Sequence, residues 1–191
     1  MPHHSTPFAA PTRRLALIGL ASALAAPAAF AQPSSKPGAY TELRWDDLVP
    51  KGWDPMAGFK DKNIGALVDG DPKTMDMMSK LREVWDNAPA ETRLDGAAIK
   101  LPGYLVPLDE SKAGITEFLL VPYFGACVHS PPPPANQIVL VVPAKPITGF
   151  QTMDTVWVSG RLRAARQGSP MGTSAYRLEA ALVDRYQAPA R

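Results

Sequence analysis

Apolar residues change their period once along this chain, near Gly96. Upstream, Met75, Met78, Leu81, Val84 and Trp85 recur at helical spacing. Asp71-Pro72 supplies an N-cap followed by proline at the first helical position, and Asn87-Ala88-Pro89 supplies a stop. The spacing predicts a helix whose buried stripe includes Met75 and Met78 as adaptable core filler. Downstream the period becomes two and strand formers dominate. Ile99, Leu101, Tyr104, Val106 and Leu108 predict a first strand, bent by a bulge at Pro102-Gly103. Glu117 to Tyr123 predicts a second. Gln137 to Val142 predicts a third, apolar throughout and therefore covered on both faces. Thr155 to Arg163, with a bend at Gly160, and Tyr176 to Asp184 predict the fourth and fifth. Gly168, Pro170 and Gly172 mark the connection between those two as a hairpin loop.

A helical part followed by five strands predicts a mainly β, α+β domain built on a small five-stranded antiparallel barrel. Its nearest architecture is the oligonucleotide/oligosaccharide-binding (OB) barrel. Residues 1–31 read as a signal peptide and 32–40 as a flexible leader. Residues 41–191 read as one domain, mostly helical or irregular over 41–92 and a β-barrel over 93–187. Two tryptophan blocks, Trp45-Asp46-Asp47-Leu48-Val49-Pro50 and Trp53-Asp54-Pro55-Met56, each stop at a proline. Trp45 and Trp53 either cap one end of the core or face a partner as an aromatic platform.

The N-terminal segment changes the reading of charge. Arg13-Arg14 precedes the apolar run Leu15 to Phe30, and Ala29-Phe30-Ala31 has the small-residue pattern of a cleavage site. This predicts export to the periplasm by the general secretory route, or by the twin-arginine route that Arg13-Arg14 loosely suggests. Removing 31 of the 191 residues leaves 160, with no membrane span expected in the mature chain. Two of the 20 basic residues leave with the signal, so 18 face 18 acidic ones and the formal charge falls from +2 to zero. A balanced charge gives no electrostatic footprint for nucleic acid or an anionic membrane.

Candidate chemistry concentrates in one run. Cys127 is the sole cysteine, and His129 is the one histidine outside the predicted signal; they sit two apart before Pro131, Pro132, Pro133 and Pro134. If Tyr123 to His129 is extended, the two side chains share a face and form a two-ligand claw for zinc or copper. Two ligands fall short of the four of a structural zinc site, so the remainder would come from carboxylates, water or a partner. The competing readings are a cysteine packed as a small hydrophobe and a redox-active thiol. The proline run is either a rigid spacer or a polyproline surface for a partner. No phosphate loop, nucleophile elbow, dinucleotide fingerprint or histidine–glutamate zinc helix occurs, so no enzyme class is expected.

The runs Leu101-Pro102-Gly103-Tyr104-Leu105-Val106-Pro107-Leu108 and Glu117 to Gln137, with Trp45 to Pro50 and Val156-Trp157-Val158-Ser159-Gly160, resemble the bacterial exported family DUF3299. The resemblance covers nearly all of the mature chain. It implies a periplasmic or lipoprotein-like protein without established catalytic activity, often encoded beside ABC-type export or metal-uptake systems. Two functions follow as expectations. One is an accessory protein that binds or hands over zinc or copper through Cys127 and His129 for a membrane transport system. The other is a non-catalytic OB-like adaptor of an envelope ABC-transporter complex, with a structural cysteine and with Trp45, Trp53 and Pro131 to Pro134 facing the partner.

Overall fold

The computed structural model describes residues 40–60, 70–128 and 132–187. The expected signal peptide, the leader up to Ala39, His129 and Pro131 lie outside the described residues. Among those described, no helix is long and apolar enough to cross a membrane.

The expected helix is α1, Pro72–Asp86. Its start is fixed by the Asp71 side chain, which accepts from the Lys73 amide, with Pro72 in the first turn where its missing N–H costs nothing. The strands are β1 (Thr41–Glu42), β2 (Ala98–Ser111), β3 (Gly114–Val121), β4 (Val139–Pro143), β5 (Thr155–Arg163), β6 (Gln167–Ser169), β7 (Gly172–Ser174) and β8 (Tyr176–Arg185). Five of them close a barrel in the order β2-β3-β4-β8-β5, with β5 pairing back to β2. The expected hairpin loop carries its own small sheet, β6–β7.

The barrel is mixed rather than antiparallel, because β4 and β8 run parallel. Parity requires this. Five strands in a closed ring cannot alternate direction all the way round, so at least one adjacent pair must point the same way. Strand β2 also departs from expectation. It continues through Pro102-Gly103 without a bulge, and its register shifts come later, at Pro107/Asp109 and Asp109/Glu110. Gly103 serves a different need: a Cβ there would stand 2.8 Å from both Leu120 Cγ and the Val121 carbonyl oxygen.

Alternation divides the apolar residues into two cores. Leu101, Leu105, Phe118, Leu120, Val139, Val141, Val158, Leu162 and Tyr176 fill the first, inside the barrel. Val106, Leu119, Val121 and Leu140 belong to a second cluster with Ala126 and Ile138. These strand residues alternate with the inward ones, so they point out from β2, β3 and β4. The connection between β3 and β4 supplies Ala126 and Ile138, so both faces of β4 are buried.

The N-terminal segment seals the edge of β2 that β3 leaves free. Strand β1 pairs in parallel with Ile99 and Lys100, and the Trp45 indole Nε1 donates to the Pro102 carbonyl at 2.8 Å. Trp45 and Trp53 are half-buried against the first core, as capping residues would be.

Candidate functional site

Strand β3 ends at Val121, and the chain then makes two consecutive turns rather than continuing extended. The Ala126 amide donates to the Tyr123 carbonyl at 3.4 Å, and the Val128 amide donates to the Gly125 carbonyl at 3.3 Å. Pro122 cannot donate to a sheet ladder, which helps end the strand there. Cys127 has φ +63°, a left-handed conformation uncommon outside glycine, asparagine and aspartate. The extended backbone that would place residues 127 and 129 on one face is therefore absent at Cys127.

Cys127 is half-buried and packs against the second core. Burial pushes its thiol up from 9.0 to about 11, with Arg82 on α1 pulling in the opposite direction. The thiol is thus protonated at neutral pH. Among the described residues, no three or more histidine, cysteine, aspartate or glutamate side chains gather in a group that could hold a metal ion.

The prolines are largely built into the fold. Pro133 is buried, and Pro132 and Pro134 are half-buried. Pro132 packs so closely on the β6–β7 turn that a Cβ at Gly172 would meet its Cβ at 2.9 Å. Asn136 follows in a short 3-10 helix, Ala135–Gln137, where its Nδ2 donates to the Pro89 carbonyl at 3.2 Å. Its Oδ1 is buried without a partner. Gln137 Nε2 donates to the Trp45 carbonyl, tying the proline exit to the first tryptophan block.

What the sequence reading missed is the surface beside this loop. Met75 and Met78 do not lie on a buried stripe: they are 65% and 44% exposed, and Thr74 and Leu81 are the buried residues of α1. Val84 is exposed as well, as are Tyr123, Phe124 and Val128 on the turns. Leu182 and Tyr186 are the other exposed large hydrophobics among the described residues. Pro132 joins the two elements, because it lines a groove of about 180 Å³ with Met78, Leu81, Arg82 and Trp85. Trp85 is held there by its Nε1, which donates to the Pro55 carbonyl at 3.3 Å. Across the loop, the Phe124 ring meets Tyr104 edge-on with centroids 5.9 Å apart.

Together these features define a small mixed β-barrel domain with one outer face closed by its own loop and an apolar helix–loop surface beside it. The chain belongs to the family described as "Protein of unknown function (DUF3299)", whose model matches residues 45–185. It is similar to a DUF3299 family protein from Pseudomonas aeruginosa PAO1 of known crystal structure. That match has 37% identity and a TM-score of 0.62, covering 80% of this chain and 100% of that one. A small single-stranded DNA-binding protein from Streptomyces coelicolor also aligns, at 13% identity and a TM-score of 0.32, over 50% of this chain and 99% of that one. A likeness that low transfers nothing. No curated protein matches the chain.

Proposed function

We propose that this protein is a non-catalytic docking module of the bacterial envelope, an adaptor that holds an apolar segment of a transport-complex partner against α1 and the Cys127 turns. One observation carries the reading. Six large apolar side chains, Met75, Met78, Val84, Tyr123, Phe124 and Val128, are exposed on just two elements. Met78 lines a groove with Pro132 of the same connection, and exposed apolar surface beside such a groove marks an interaction site more often than isolated exposed residues do. Methionine beside aromatic rings makes such a surface adaptable to its occupant. The tryptophan blocks suit this role less well, since Trp45 and Trp53 are spent on the core.

The barrel's own connectivity favours a protein partner over an oligonucleotide. OB barrels bind nucleic acid on the face of their second and third strands, which correspond to β3 and β4 here. Outward-facing Leu119, Val121 and Leu140 on those strands are already buried under the connecting loop. The envelope location and the transporter partner rest on the signal-like sequence of residues 1–31 and on what the family resemblance implies.

The test is site-specific photo-crosslinking in cells making the chain at native level. A photoreactive residue at Phe124 or Met75 is expected to capture one envelope protein, whereas the same residue at exposed Lys145 captures none. Equal capture from all three positions, or none from Phe124 and Met75, defeats the reading.

A further inference from the structure

A cleft of about 290 Å³ opens on the outside of the barrel, where the ends of β3 and β8 reach β2 and β5. Trp45, Pro102, Tyr104, Pro122, Thr155 and Tyr186 line it. The register brings them together. Tyr104 on β2 is the direct partner of Thr155 on β5, and both alternate with inward-facing residues, so they point outward. The Tyr186 amide donates to the Thr155 carbonyl at 2.9 Å, which brings Tyr186 alongside. Each ring is held by a neighbour. The Trp45 indole is tethered to the Pro102 carbonyl at 2.8 Å, Tyr104 meets Phe124 edge-on at 5.9 Å, and Tyr186 stacks on Trp157 at 5.5 Å. Among the described residues, no charged side chain lines the cleft, whereas Tyr104, Thr155 and Tyr186 each bring a hydroxyl to it.

We propose that this cleft binds a neutral glycan, with one sugar ring set among Trp45, Tyr104 and Tyr186. A pyranose has a face of C–H groups, which an aromatic ring can cover, and a rim of hydroxyls that both donate and accept. The cleft offers the same two chemistries, aromatic faces and hydroxyls that act either way. Its volume, at the small end of ligand pockets, suits one ring of a chain rather than a whole chain. A phosphate-bearing ligand would find no cation in the lining. A polyproline segment is the other neutral ligand for an aromatic groove, and its carbonyl oxygens need donors. Here the Trp45 N–H is already engaged by the Pro102 carbonyl, and Pro102 and Pro122 have no N–H to give. The cleft shares no lining residue with the groove on α1, so the proposal stands apart from the docking reading.

The test is NMR titration of the mature chain with chitotriose and, separately, with maltotriose. At least one of them is expected to shift the Trp45 indole N–H and the Thr155 and Tyr186 amides. Tyr104→Ala and Tyr186→Ala are each expected to weaken binding by about tenfold or more. Thr155→Val, which keeps the side-chain shape, is expected to weaken it by about threefold. Met75→Ala, on the docking surface, is expected to leave it unchanged. No binding of either sugar, shifts confined to other surfaces, or unchanged affinity in both Tyr186→Ala and Thr155→Val would overturn the proposal. A hexaproline peptide that shifts the same resonances and binds more tightly than the sugars would overturn it too, making the cleft a peptide groove. Should Tyr104→Ala fail to fold, Tyr186→Ala and Thr155→Val decide, because Tyr186 is 39% exposed and tolerates truncation.

Discussion

The Tyr176 hydroxyl lies 2.5 Å from the Leu48 carbonyl oxygen, although 128 residues separate them. The same hydroxyl accepts from the Glu91 amide. One phenol at the start of β8 thus fastens both the tryptophan block and the segment after α1 onto the barrel. Its ring is fully buried in the first core. Tyr176→Phe keeps the ring and strips partners from a buried carbonyl and an amide, a loss of about 1–3 kcal/mol. The urea midpoint is expected to fall at constant m-value. An unchanged midpoint would show that the two partners find other bonds.

The same phenol gives the fold an alkaline limit. Burial pushes its hydroxyl up from 10.0 to about 12, with the Glu91 amide pulling it down. Between those two values the unfolded chain has lost a proton that the native one keeps, so stability is complete below pH 10 and falls as pH rises toward 12. Cys127, raised from 9.0 to about 11, adds a loss that begins lower. The clean comparison therefore sets Tyr176→Phe beside its parent in a Cys127→Ser background. Over pH 9 to 11 the parent's urea midpoint is expected to drop more steeply. Parallel curves would place the alkaline loss elsewhere.

The barrel was legible in the sequence because inward and outward positions alternate within each strand, and β5 has the predicted bounds, Thr155–Arg163. The parallel β4–β8 pair was available from parity alone, once five strands were asked to close. Helix α1 was legible in its caps but not in its burial. Periodicity shows which residues share a face, yet cannot say whether anything covers that face, and Met75 is left 65% exposed. Cys127 was misplaced for a related reason. A strand pattern was carried one turn too far, past Pro122. The hydrogen bond from the Gly125 amide to the Met153 sulfur had no local signal, since the two are 28 residues apart and are joined only by the barrel's closure.

Gly160 sits at the register shift where β5 meets β8. A Cβ at that position would stand 2.1 Å from the Glu179 carbonyl oxygen and 2.9 Å from the Ala180 Cα. Both obstacles are backbone, so the strands themselves would have to part. Gly160→Ala is expected to cost at least about 1–3 kcal/mol, in the range of overpacked cores. Gly168→Ala, with nothing within 4 Å of the new methyl, serves as the control. It is expected to stay within about 0.5 kcal/mol of the parent. Equal midpoints for the two variants would mean that the β5–β8 register yields more easily than its contacts imply.

The reactivity of Cys127 measures how far its turn shields it. Burial raises the thiol to about 11 from 9.0 despite the pull of Arg82, which cuts the thiolate fraction at neutral pH by about 100-fold. Each thiolate is then intrinsically more nucleophilic, by roughly tenfold for two units at the usual Brønsted slope. The net expectation is alkylation by iodoacetamide at least about tenfold slower in the native protein than in urea. The native rate should keep climbing with pH beyond 9, where the unfolded thiol levels off, and should flatten only near 11. Arg82→Gln removes a neighbouring charge that favours the thiolate, so it is expected to slow the native reaction further. A native thiol as fast as the unfolded one at neutral pH would mean that water reaches the sulfur freely and that the turn does not desolvate it.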